Sequence, residues 1–196
     1  MADARLLVGI FVGGRGRRMG GVVKGLLKAP GSEATLLERL RSELASSLPD
    51  AEVVLVGAAD AYTDVGLRAV SDDPPGVGPL GGLIGLLAYA QRRGAAQALA
   101  LACDLPRIGG SVLQRLAREM GDKCALVAAQ GQIRNPLVAR YAVAHALPAA
   151  RGVLATGKRS LQGVLDRLGD GVATLPLTTE EAATLDDWDT PEDVHR

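Results

Sequence analysis

The chain has 196 residues, of which 47% are apolar, and its 22 Lys and Arg balance 22 Asp and Glu, so the formal net charge is zero. That length suits one domain over residues 1–196 with a sizeable core. The charge balance argues against wholesale binding to nucleic acid or a membrane surface.

The first predicted element is the apolar run over residues 6–12, LLVGIFV, too short for a membrane span and suited to a buried parallel strand. A glycine-rich stretch with Gly13, Gly14 and Gly16 follows it. Thr35 and Glu38 then spell a capping box, and Leu36, Leu37, Leu40 and Leu44 recur at helical spacing. Strands are predicted over 52–56, 67–71 and 97–103, with helices over 82–92 and 112–120, the second started by Ser111 and ended at Gly121. Residues 124–129 and 136–141 return to strand, 160–168 are helical and 172–177 form the last strand. This alternation predicts an α/β fold, a mainly parallel, twisted Rossmann-like sheet with helices on both faces. In such sheets ligands bind beyond the carboxyl ends of the strands. The Gly13 loop, Asp72 and Asp104 all follow predicted strands and can therefore share one crevice.

The glycine loop carries the strongest chemical signal. Glycines let backbone N–H groups approach an anion closely. Arg15, Arg17, Arg18, Lys24 and Lys28 follow, and no carboxylate stands between Asp3 and Glu33. A phosphate-rich ligand is the natural counter-charge. Two familiar phosphate motifs fail here: Met19 occupies the last glycine position of a dinucleotide fingerprint, and Arg159 follows Lys158 where a Walker A loop needs Ser or Thr. The bland alternative is a Gly-rich turn bearing solvated arginines.

The segment GGRGRRMGGVVKGLL closely resembles the signature of the molybdenum cofactor nucleotidyltransferases, and among them the guanylyltransferases. Four further segments agree in order: GPLGG at 78–82, preceded by Asp72, resembles the family's base-recognition loop, ACDLP at 102–106 its metal-binding strand end, RNPLVARY at 134–141 its acceptor-side strand, and DDWDTPED at 186–193 its C-terminal metal loop. The resemblance implies a GT-A-like nucleotidyltransferase fold, a magnesium cofactor, and GTP and molybdopterin as substrates, with molybdoenzymes or their chaperones as further partners. It assigns catalysis to Lys24, Arg18 and Asp104. Nucleotide contacts fall on Phe11, Val12, Gly13, Gly14, Lys24, Asp72, Gly78, Leu80 and Asp104, acceptor binding on Arg159, and metal binding on Asp104, Asp187 and Asp189.

Three departures from the family pattern stand out: Val12 for Ala, Val23 for an Asp before the lysine, and Asp-Trp-Asp for Asn-x-Asn near the end. The last looks more like the cytidylyltransferases, whereas the paired glycines and GPLGG favour guanine. Transfer of GMP from GTP is the expected reaction. A CTP enzyme, a transferase for another phosphorylated acceptor, and a silent nucleotide-binding adaptor remain as alternatives.

The residues independently suit that chemistry. Asp104 ends an apolar strand, a costly place for a carboxylate unless a partner such as magnesium meets it; the competing role is a turn cap. Asp187 and Asp189 project to one side in extended chain. The last nineteen residues carry seven Asp or Glu against Arg196 alone, so a basic loop and an acidic tail can meet through phosphate and metal. His145 and His195 lie outside these motifs, which gives a Ser-His-Asp or Cys-His mechanism little support. Cys103 and Cys124 lack the spacing and partners of a zinc site and read as buried thiols. With Asp3 in the would-be basic region of a leader, a cytoplasmic location is expected.

Overall fold

A computed structural model describes residues 6–13, 23–57 and 60–185. Seven strands form one sheet: β1 (Leu6–Phe11), β2 (Glu52–Val56), β3 (Arg68–Val70), β4 (Gln97–Ala102), β5 (Ala125–Gln130), β6 (Ile133–Ala142) and β7 (Val172–Leu175), in the order β3-β2-β1-β4-β6-β5-β7. All neighbours are parallel except β6, which runs antiparallel to both β4 and β5. The expected mainly parallel α/β sheet is therefore present, with one reversed strand near its middle.

Each face of the sheet is covered, which is why β1 reads as a continuous apolar run rather than an alternating one. Leu7 and Phe11 join one core with α2 (Pro79–Arg92), α4 (Val143–Ala155) and α5 (Leu161–Leu168). Val8 and Ile10 join the other with α1 (Leu36–Ser47) and α3 (Gly110–Arg118). A short α6 (Thr179–Ala183) follows β7.

The boundaries differ from expectation where packing overrides local spelling. Helix α2 begins at Pro79 instead of residue 82, because proline suits the first helical position and Gly78, at φ 74°, turns the chain into it. GPLGG is thus mostly a first helical turn. Helix α3 starts at Gly110 with Gly109 as its cap, and Ser111 does not cap it. Gly110 lies against Ser47 of α1, where a Cβ would come within 2.4 Å of the serine hydroxyl. Helix α4 escaped the sequence reading since Pro148 lies inside it, removing a backbone donor. Its buried face, Val143, Ala146, Leu147, Ala150 and Val153, holds it helical against the sheet.

Candidate active site

Strand register brings the site together. The last β1–β4 pair is Phe11 with Ala102, and the Cys103 N–H continues the ladder to the Phe11 carbonyl at 3.2 Å. Gly13 and Asp104 each lie two residues beyond that pair, at one height on the carboxyl edge. Gly57, just past β2, packs directly on Gly13. Its φ of 105° favours glycine, and a Cβ there would meet the Gly13 Cα at 2.7 Å.

Lys24 comes from a short 3-10 turn, Lys24–Leu26, and its Nζ donates to Asp104 Oδ2 at 2.8 Å. Their side chains retain only 19% and 17% exposure, so charge facing this edge is poorly screened by water. Backbone bonds fold the following segment against α1: Ala29 N–H to Ala34 O at 2.8 Å, and Leu36 N–H to Leu27 O at 2.8 Å. The capping box is present as predicted, with Thr35 Oγ1 accepting from Glu38 N–H at 3.2 Å and Glu38 accepting from Thr35 N–H at 2.8 Å. These bonds hold the Glu38 carboxyl below its usual value. From the same helix Arg39 donates to the Ile108 carbonyl at 3.1 Å, tying down the turn after Asp104. One capped helix therefore positions both members of the Lys24–Asp104 pair.

Behind the pair lies a dry wall. Tyr62 is 3% exposed, with its hydroxyl buried against the Gly25 backbone. A Cβ on Gly25 would stand 2.8 Å from that hydroxyl, so only glycine lets the lysine turn approach so closely. Burial, aided by the neighbouring Cys103 and Asp104, pushes the Tyr62 phenol up to about 12. Burial, then the Asp104 charge, likewise pushes the Cys103 thiol up to about 12. Cys103 is buried as expected; Cys124 is only partly so.

In front is a cavity of about 210 Å³. Phe11, Val12 and Gly13 from the end of β1, Pro79 from α2, Lys24, Cys103, Asp104 and Leu105, and Asn135 and Leu137 from β6 line it. A larger hollow of about 440 Å³, lined by Leu44, Leu48, Val53 and Leu67, opens at the opposite, amino edge of the sheet and brings no phosphate-binding group with it beyond Arg41. The ligand rule for α/β sheets selects the smaller one.

Other expected residues distribute around this cleft. Asp72 follows β3, its Oδ1 within 3.9 Å of where a Gly57 Cβ would be, and burial raises its carboxyl above the usual range. Gly78 is exposed at the start of α2, whereas the Leu80 side chain is 0% exposed in the core and can offer a ligand only backbone. Arg159, exposed before α5, donates to the Gly76 carbonyl at 3.4 Å and does not line the cavity. Val23, the residue in the place of an Asp, packs on the core beneath β1. His145 is on the exposed surface of α4. Gly14, Arg15, Arg17, Arg18, Asp187, Asp189 and His195 lie outside the described residues. Sequence reasoning missed Tyr62 and Asn135 as site residues. Nothing in the pattern marks Tyr62, but Asn135 stands in the RNPLVARY segment and an Asn-Pro start to a strand is a usable signal.

Among the described residues no three His, Cys, Asp or Glu cluster as a metal site. Asp104 nonetheless fits magnesium, which takes one or two carboxylates and completes its shell with water and phosphate oxygens. No helix among the described residues is long and apolar enough to cross a membrane.

A three-layer α/β fold with a glycine turn, a lysine and a strand-end aspartate on its carboxyl edge defines a nucleotide-binding class. Residues 8–172 match the MobA-like NTP transferase domain, and the chain belongs to that family. It is 33% identical over 194 residues to a probable molybdenum cofactor guanylyltransferase of Chloroflexus aggregans, covering 94% of this chain and 89% of the relative. A molybdenum cofactor guanylyltransferase of Serratia proteamaculans is 31% identical over 166 residues, 82% of this chain and 79% of that one. The crystal structure of molybdopterin-guanine dinucleotide biosynthesis protein A from Archaeoglobus fulgidus shares the fold at a TM-score of 0.74 and 22% identity, covering 96% of this chain and 95% of that one.

Proposed function

We propose that this chain is a magnesium-dependent transferase that moves GMP from GTP to the terminal phosphate of molybdopterin. The reading is carried by the Lys24–Asp104 pair at the mouth of the cavity, in a chain about one-third identical to proteins named molybdenum cofactor guanylyltransferases.

An oxygen of the acceptor phosphate attacks the α-phosphorus of GTP in line. A new P–O bond forms, the bond from the α-phosphorus to its bridging oxygen breaks, and pyrophosphate leaves with the electron pair. No side-chain base is required, because a phosphate monoester with a second pKa near ~6 is already largely ionised at neutral pH. The protein supplies position and charge neutralisation. Gly13 offers backbone to the phosphates, Asp72 and the Gly78 turn face the nucleoside, and Lys24 meets charge developing toward pyrophosphate. Arg18 assists Lys24, and Arg159 serves the acceptor side. Asp104, with Asp187 and Asp189, would hold magnesium, which when bound neutralises phosphate oxygens.

Thermal shift with the four nucleoside triphosphates tests the base choice. GTP with magnesium is expected to raise the melting temperature most. A larger rise with CTP would make the Asp-Trp-Asp loop the better guide and give the chain to the cytidylyltransferases.

A further inference from the structure

Among the described residues, Lys24, Asp104 and Asn135 put hydrogen-bonding side chains on the cavity wall, and the first two already meet each other. The β4–β6 ladder ends with Leu101 opposite Val138, so continuing the antiparallel register three residues brings Asp104 level with Asn135. Asn135 thus stands across the cleft mouth from the pair.

Its amide is oriented. Oδ1 accepts from the Leu137 N–H at 3.1 Å, and this leaves Nδ2, with two hydrogens, as the donor that this strand end presents. The two backbone positions that follow offer no free donor, since residue 136 is proline and the Leu137 N–H is already taken. The strand start is also clamped from outside the cavity. Gln162 of α5 donates to the Arg134 carbonyl at 2.6 Å, and Arg134 pairs with Asp166 at 2.5 Å. A partly exposed amide, fixed by the Leu137 N–H on a strand start that α5 clamps through Arg134, lines the cavity and is built for contact with an acceptor group.

Sheet order selects which ligand. Gly13, Gly57 and Asp72 occupy the β1-β2-β3 half of the edge, where the nucleotide belongs, and Asn135 lies beyond Asp104 on β6. Resting on the guanylyltransferase reading above, we propose that Asn135 donates from Nδ2 to the terminal phosphate of the acceptor and holds it for attack.

Asn135→Asp is the informative variant. It preserves the acceptor for the Leu137 N–H while replacing the donor with a negative oxygen that repels phosphate. Binding of GTP and of molybdopterin to wild type, Asn135→Asp and Asn135→Ala is measured separately by calorimetry, alongside pyrophosphate release and melting temperature. The expected result is an acceptor KM and Kd raised about tenfold or more in Asn135→Asp, less in Asn135→Ala, with GTP affinity within about twofold of wild type. Unchanged acceptor binding in an active Asn135→Asp enzyme, or equal losses for GTP and acceptor, overturns the assignment of Asn135 alone. A folded wild type that neither binds nor turns over molybdopterin overturns the function reading, and this assignment with it.

Discussion

Lys24 and Asp104 hold each other at 2.8 Å in a place where little water reaches them. Under the proposed function the pair would part around the substrate, the ammonium to phosphate and the carboxylate to magnesium. Lys24→Ala should accordingly lower kcat by about a hundredfold or more while GTP affinity changes only severalfold, since a cation that meets developing charge acts chiefly on rate. Asp104→Asn should likewise cut turnover at ordinary magnesium, with partial recovery as magnesium is raised. Steady-state kinetics over a magnesium series, with GTP binding measured in parallel, checks both. Equal losses in binding and rate at Lys24 would make it a ground-state phosphate anchor. Gly13, Lys24 and Asp104, each beside a glycine or at a strand end, were legible as neighbours, and the structure brings all three to one cavity wall. Leu80 shows what a motif leaves out: its side chain belongs to the core, so only its backbone is open to a ligand. The sequence was silent on Tyr62, because a buried ring that meets Gly25 from 37 residues along the chain leaves no periodic trace.

The element that organises the site is α1. Its capped N-terminus receives the chain from the Lys24 turn, and its Arg39 secures the turn that follows Asp104. The Lys24 turn fits only because Gly25 leaves room for the Tyr62 hydroxyl. Gly25→Ala should therefore displace the lysine, costing about 1–3 kcal/mol of stability as overpacking does, together with a loss of turnover. Tyr62→Phe added to Gly25→Ala should recover part of both, because it removes the atom nearest the new methyl. Urea unfolding and kcat on the two variants check this; no recovery in the double variant would show that Tyr62 does not set the turn. The capping box was legible because Thr-x-x-Glu encodes its own geometry. Helix α4 was not, since its burial against α2 and α5 is a tertiary fact that outweighs Pro148.

Across the whole molecule, burial of acidic groups sets an alkaline limit on stability. Cys103 and Tyr62 are both raised to about 12 from ordinary values of 9.0 and 10.0, and burial also raises Tyr141. With folded pKa values above unfolded ones, the unfolded chain releases these protons first. Their contribution is complete below about pH 9 and falls as pH rises toward 12, by at most about 1.4 kcal/mol per pH unit for each group. Urea midpoints should hold up to about pH 9 and drop steeply beyond it, and Cys103→Ala should soften the drop at its onset. A midpoint flat from pH 8 to 11 would contradict the buried wall behind the site.

The sheet and its two covered faces were readable from alternating apolar runs, but the reversed direction of β6 was not. Strand direction depends on which edge the chain re-enters, and residues 133–142 spell a strand equally well either way. That reversal nevertheless places Asn135 at the carboxyl edge, on the wall of the cavity that Lys24 and Asp104 also line.

The fate of labelled α-phosphate separates nucleotide transfer from mere binding or hydrolysis. With GTP carrying the label at the α-phosphate, molybdopterin and magnesium, transfer puts label in a pterin-containing product, with unlabelled pyrophosphate released in equal amount and no transfer without acceptor. Label that remains in GTP, or appears only as free GMP, would contradict it.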